Sequence, residues 1–377
     1  MRITGIRLQQ LRLPLDPPFL AAWDPSPRRT FEATIVRVET DAGLVGVGSG
    51  DTMAGFDDYV QGFVGRDPLA IGRHARALET ISFHAGRYWP LEAALWDLLG
   101  QACGEPLARL LGGFSAGVPA YASWGSLKDP GQRAEDAQAL VSEGFRGVKV
   151  RIAPGRVDDG VAVVAAVRAV VGDTLEIIVD LNQWWRMPGD VARGFGPVDA
   201  RRVIERLREF GVLWVEEPLP AVDVAGMRML REVSGVRVAG GEMAGTFDEL
   251  RLALERDALD VLQPDVVLAL GVSGARTLAD LALRRNRWFT PHTWTNGIGL
   301  LANLHVCAGV GGGPLIEFPY DPPGWTPARR DFMLAEPVTI GPDGLLRVPE
   351  APGLGVRLDE EAVAFYARAA GDPVAVR

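Results

Sequence analysis

Seven side chains capable of chemistry recur through the second half of this 377-residue sequence: Lys149, Asp180, Glu216, Glu242, Asp265, His292 and Glu317. Each closes or directly follows a short apolar run, and successive members lie roughly 23 to 36 residues apart. One carboxylate in such a place needs no explanation beyond solvent exposure. Asp180, Glu216 and Glu242 are consecutive, however, and three anions brought together repel unless a cation sits between them. An all-oxygen set suits a hard ion such as Mg²⁺, with water or substrate completing an octahedron.

The apolar runs that must position these groups are Val118–Ala122, Gly147–Val150, Leu175–Asp180, Val212–Glu216, Val236–Gly240, Val261–Asp265, Arg287–Thr290 and Leu315–Phe318. Helical stretches such as Val161–Val171, Ala200–Phe210 and Gly274–Arg285 separate them. Apolar strands alternating with helices imply parallel pairing through right-handed crossovers. Eight such strands over about 200 residues predict a closed (β/α)7–8 barrel of TIM type. A doubly wound open sheet is the alternative that periodicity leaves open. In a barrel the strand C-termini converge, which gathers the seven residues around one pocket.

Ahead of this region, Thr34–Thr40 alternates as a strand and ends in Asp41-Ala42-Gly43, a turn signal before Val45–Gly48. An antiparallel meander over the first 60 or so residues is expected, interrupted by loops at 17–27 and 50–55. From Asp57 to Leu111 the period becomes helical, and Gly112-Gly113 ends the block. The expected organisation is an α+β capping domain at 1–115, the barrel at 116–330, and a C-terminal segment at 331–377 returning to the cap.

Composition narrows the class. A formal charge of −9 disfavours nucleic acid, and no run of about 18 uncharged apolar residues predicts a membrane span. Cys103 and Cys307 lack metal-type spacing and read as buried free thiols of a cytoplasmic protein. Of the 39 basic residues only Lys128 and Lys149 are lysines. Lys149 therefore stands out against a strong drift to arginine, whereas Lys128 reads as a surface residue.

Several longer motifs point further. Leu95-Trp96-Asp97-Leu98-Leu99-Gly100, Gly104-Glu105-Pro106-Leu107 and Leu110-Leu111-Gly112-Gly113 stand before the barrel. Val179-Asp180-Leu181-Asn182-Gln183, Trp214-Val215-Glu216-Glu217-Pro218-Leu219, Gly240-Gly241-Glu242 and Gln263-Pro264-Asp265 follow within it. Together, in this order and over essentially the whole chain, they resemble the enolase superfamily, and within it the mandelate racemase subgroup. The resemblance implies that Asp180, Glu216 and Glu242 ligate Mg²⁺ and that Asp265 hydrogen-bonds His292. It also implies that Glu317 contacts the substrate carboxylate or the enediolate, and that the chain forms a homo-oligomer between dimer and octamer. The expected reaction is removal of the proton beside the carboxylate of a small molecule. Divalent charge on the carboxylate oxygens stabilises the resulting enediolate, and a histidine base has its pKa near neutrality.

One departure bears on the reaction. The subgroup's second barrel strand typically ends in Lys-x-Lys, but here it reads Lys149-Val150-Arg151. Arginine is a poor base, so Lys149 reads as a contact to the substrate carboxylate and Arg151 as a fixed cation. A racemase needs a base on each face of the substrate; a dehydratase needs one. The pattern thus favours dehydration of an acid sugar by His292 over racemisation or epimerisation. A non-catalytic barrel that only binds, and a metal-dependent hydrolase, are less favoured by the intact triad and by the scarcity of histidine. Around the pocket, Asn182, Trp184, Trp294, and Phe19, Trp23 and Met53 of the capping loops are the candidate substrate contacts. His74, His84 and His305 read as surface or packed residues.

Overall fold

The computed structural model describes residues 1–370, so the last seven positions of the predicted 331–377 segment lie outside the described residues. Three strands, β1 (Ile3–Phe19), β2 (Arg28–Thr40) and β3 (Val45–Gly50), form the expected antiparallel meander. Three helices follow: α1 (Ile71–His84), α2 (Trp89–Cys103) and α3 (Leu107–Leu110). β3 lies directly on α2, and glycine is what allows it. A Cβ on Gly46 would stand 2.2 Å from the Ala94 carbonyl oxygen, and one on Gly48 would stand 2.1 Å from that of Pro90. Asp97 of the Leu-Trp-Asp motif bolts this layer to the chain's far end. Its carboxylate accepts from the Val47 N–H at 2.9 Å and the Leu354 N–H at 2.7 Å.

The barrel follows with eight strands: β4 (Gly117–Ser123), β5 (Gly147–Arg151), β6 (Glu176–Asp180), β7 (Trp214–Glu216), β8 (Arg237–Gly240), β9 (Val261–Leu262), β10 (Trp288–Phe289) and β11 (Ile316–Pro319). Adjacent strands pair in parallel, in the order β10-β9-β8-β7-β6-β5-β4-β11. The crossovers are α4 (Pro130–Ser142), α5 (Val157–Val171), α6 (Pro197–Arg208), α7 (Val224–Ser234), α8 (Phe247–Glu255), α9 (Gly271–Leu283) and α10 (Gly297–Val310). All eight predicted strands are present, and the curled barrel replaces the open-sheet alternative. At the seam between β10 and β11, side chains supplement the backbone: the Thr290 hydroxyl donates to the Leu315 carbonyl at 2.6 Å, and Thr293 to that of Glu317 at 2.9 Å.

Val266–Leu283, comprising a π-turn and α9, has a mean hydropathy of 1.6 and is the one described helix long and apolar enough to span a membrane. Its composition has a different cause: α2 of the cap covers it on one side and α10 on another. Beyond the barrel come α11 (Pro327–Arg330), β12 (Leu345–Arg347) and α12 (Glu360–Ala370). The return of this segment is divided, because β12 pairs antiparallel with barrel strand β4 while α12 lies against β1 of the cap. Cys307 is buried as expected, but Cys103 is exposed, since α2 ends there in the left-handed Gly104 and the last turn leaves the core.

Candidate active site

Side-chain parity along the strands decides what faces the barrel axis. In β5, Val148 and Val150 join the outer core beneath the helices, which leaves Lys149 and Arg151 inside. In β6, Ile177 and Val179 point outward and Asp180 inward; in β7, Val215 points outward and Glu216 inward. Registry then aligns Arg151 with Asp180, and Asp180 with Glu216. Beneath them Tyr121, Ile178, Trp214, Ala239, Val261 and Leu315 fill the barrel with an apolar plug.

Asp180, Glu216 and Glu242 each offer an oxygen within 4.8 Å of the others, and all three are buried. Glu242 Oε2 accepts no hydrogen bond, which is costly for a buried carboxylate oxygen. That orphaned atom and the all-oxygen donor set fit a hard divalent cation. Two other cations face the triad from β5. Lys149 Nζ lies 2.8 Å from Glu216, 2.6 Å from Glu317 and 3.5 Å from Asp180. Arg151 pairs with Asp180, donates to Asn182 Oδ1 at 3.0 Å, and hands its Nε–H to the Trp124 carbonyl at 3.0 Å. Burial opposes charge on both, yet the surrounding carboxylates prevail and raise both pKa values above their ordinary range.

The opposite flank is built differently. The His292 Nδ1–H donates to Asp265 Oδ2 at 3.0 Å, which leaves Nε2 turned towards Glu242 Oε2 at 3.5 Å. Asp265 is itself fixed: its other oxygen accepts from the N–H groups of Val267 and Leu268 at 2.7 and 3.1 Å, capping the π-turn. Burial would lower the pKa of His292, but the charges of Glu242 and Glu317 and the bond to Asp265 push it up to about 9.

A cavity of about 500 Å³ opens over these groups between cap and barrel. His292, Glu242, Arg151, Asn182, Trp23 and Trp294 line it. Lys149 and Glu317 lie beneath this lining, fully buried and paired with one another, and Lys149 also reaches Asp180 and Glu216. Phe19, Met53 and Trp184 also lie outside the lining. Phe19 stacks behind Trp294 at 6.1 Å, and Met53 is buried in the cap core. Trp184 turns away to donate to Glu249 Oε1 at 3.1 Å, while its neighbour Trp185 faces the pocket and donates to Glu242 Oε1 at 2.7 Å. Asp51, Arg28, Arg87 and Met243 complete the wall and were absent from the sequence-based set. Lys128 is half-buried rather than free on the surface, bonded to Asp136 at 2.8 Å and to the Pro322 carbonyl at 2.9 Å.

With this geometry in view, two family models match the chain. One, described as the mandelate racemase / muconate lactonizing enzyme N-terminal domain, matches residues 15–112. The other, described as enolase C-terminal domain-like, matches residues 132–362. D-galactarolactone cycloisomerase of Agrobacterium fabrum is 28% identical over 97% of this chain and 99% of its own. Arabinonate dehydratase of Saccharolobus solfataricus is 30% identical over 79% of this chain and 74% of its own. A racemase from Streptomyces coelicolor, solved with bound magnesium, superposes with a TM-score of 0.82 at 27% identity, covering 97% of this chain and 99% of that one.

Proposed function

The chain belongs to the mandelate racemase / muconate lactonizing enzyme family of the enolase superfamily, and from that premise we propose that it dehydrates an acid sugar to a 2-keto-3-deoxy acid. The observation that carries the reading is the asymmetry of the site. One flank presents a histidine oriented by a carboxylate, and the other presents Arg151, which cannot accept a proton.

In this reading Asp180, Glu216 and Glu242 hold Mg²⁺, which supplies the positive charge that makes the α-proton acidic and the enediolate tolerable. Every other part belongs to the chain. His292 Nε2 takes the α-proton while Asp265 retains Nδ1–H, fixing the tautomer and stabilising the imidazolium. The imidazolium then returns the proton to the β-hydroxyl as its C–O bond breaks, so water leaves from the same face. The resulting enol tautomerises to the ketone. Arg151 holds Asp180 and Asn182 in place and offers fixed charge to the substrate. Lys149 acts from below, its ammonium offsetting charge in the triad, and Glu317 holds that ammonium in place from the other side. Trp23 and Trp294 shield one wall from water.

The test is incubation in D₂O with Mg²⁺ and a panel of aldonic and aldaric acids, followed by NMR. Since one relative spanning nearly the whole chain is a cycloisomerase, lactones of the aldaric acids belong in the panel. A 2-keto-3-deoxy product that disappears on chelation and returns with Mg²⁺ is the expected result. Deuterium at the α-carbon with an intact or epimerised skeleton would replace this reading with a racemase.

A further inference from the structure

Four arginines line the pocket: Arg28, Arg87, Arg151 and Arg186. Three are neutralised where they stand. Arg28 makes a two-pronged contact with Asp24 at 2.5 and 2.9 Å, Arg151 pairs with Asp180, and Arg186 lies 3.1 Å from Asp190. Arg87 differs. It comes from the short connection between α1 and α2, and among the described residues it has no carboxylate partner. Its NH1 donates to the carbonyls of Met243 and Ala244 at 3.2 and 2.9 Å, which anchor the guanidinium beside the loop that follows Glu242. Among the described residues the NH2 group and Nε–H have no hydrogen-bond partner.

Burial pulls the Arg87 pKa below the ordinary arginine value, and the more distant charges of Glu249 and Asp265 offset this only in part. A half-buried guanidinium with an uncommitted edge is a recognition group for a planar anion, because its N–H fork matches a carboxylate. The neighbouring wall suits the rest of an acid sugar. Asp51, opening onto the pocket's water but surrounded by protein that pushes its carboxyl up to about 6, can accept from or donate to hydroxyls.

We propose that Arg87 anchors a second, terminal carboxylate, so that the acid sugar taken here is a diacid rather than a monoacid. This rests on the dehydratase reading for which end of the substrate reacts, but the anchor itself is a binding site that can be tested without turnover. Arg87 is then a specificity-determining residue: it touches the end of the substrate that does not change.

The experiment pairs each aldaric acid with the aldonic acid of the same configuration, on full-length Mg²⁺-loaded protein, reading affinity by calorimetry and product by NMR. A preference for the diacid of roughly 10- to 100-fold is expected for one pair, the range of a charge-assisted contact. Arg87→Met should remove that preference by weakening the diacid about 10- to 100-fold more than the monoacid, and Arg87→Lys, which keeps the charge without the fork, should retain part of it. Diacid binding that depends on Arg87 without any 2-keto-3-deoxy product would support the anchor and sink the dehydratase reading. Equal affinity for both acids in the unmodified protein would overturn the anchor, and product formation from either would leave the dehydratase reading intact. An equal loss for both acids in Arg87→Met, at an unchanged melting temperature, would also overturn it. Binding of neither acid in any pair would overturn both.

Discussion

The two flanks of the carboxylate triad are equally buried and yet chemically unlike. On the β5 side, Lys149 and Arg151 sit among Asp180, Glu216 and Glu317, and the attraction outweighs burial so that both stay protonated far above neutral pH. On the β10 side, similar neighbours bring His292 only to about 9, because an imidazole begins lower. The same field therefore makes permanent charges on one side and a titratable group on the other. Glu242 is the leading neighbour raising His292. When Glu242 carries a divalent cation, that pull weakens, and the neutral base becomes available at lower pH.

The strongest way to break this comparison is to remove its titratable member. His292→Asn should lower kcat by about 10²- to 10⁴-fold with little change in substrate affinity. Loss of α-proton exchange, read by NMR in D₂O, separates this from a folding defect. An unchanged exchange rate would move the base elsewhere.

A second histidine sharpens the contrast because it is buried without charged neighbours. His305 accepts from the Ala108 N–H at 3.0 Å and bonds the Leu354 carbonyl at 3.2 Å, and burial lowers its pKa to about 4. The unfolded chain binds that proton at about 6.5, so it takes up protons first as pH falls. His305 thus stabilises the fold fully above about 6.5, and the contribution is lost between about 6.5 and about 4, amounting to about 3 kcal/mol. His305→Gln should be less stable at pH 7, and its deficit should shrink by about that amount at pH 4 in denaturant titrations. A deficit constant with pH would show that His305 does not titrate in this window.

The smallest expected effect concerns the other flank. Arg151→Lys should introduce slow α-deuterium exchange on the substrate face opposite His292, at roughly a hundredth of the first-face rate or less. Arg151→Met should leave first-face exchange standing. Should Arg151→Met abolish exchange on its own face while binding persists, arginine has been acting as a base after all.

The eight strands and their polar ends were legible because short apolar runs separated by helices, with a repeat near 30 residues, survive in any barrel of this kind. Lys149, Asp180, Glu216, Glu242, Asp265, His292 and Glu317 could be placed at one end from chain order alone. What could not be read was direction at single-residue resolution. Trp184 and Trp185 are adjacent and alike in type, yet one packs on Glu249 of α8 and the other reaches Glu242. In the cap the sequence pointed to Met53, but that side chain enters the core while Asp51 reaches the pocket. Lys149 and Glu317 are fully buried below the cavity lining, a depth that strand length does not announce. Arg87 gave no signal at all, since it sits between two helices and meets its partners only when the cap docks on the loop after β8.

The position of α2 has a consequence for how the protein is made. The helix is buried almost all round, partly by the barrel crossover Val266–Leu283. A ribosome finishes α2 before that crossover exists, and at about 5–20 residues per second the gap lasts roughly 10 to 40 s. Throughout that interval one apolar side of a completed helix faces water uncovered. During that interval the cap is exposed to association through this face, and recombinant yield should respond to slower synthesis or lower temperature more than to the final stability of the fold.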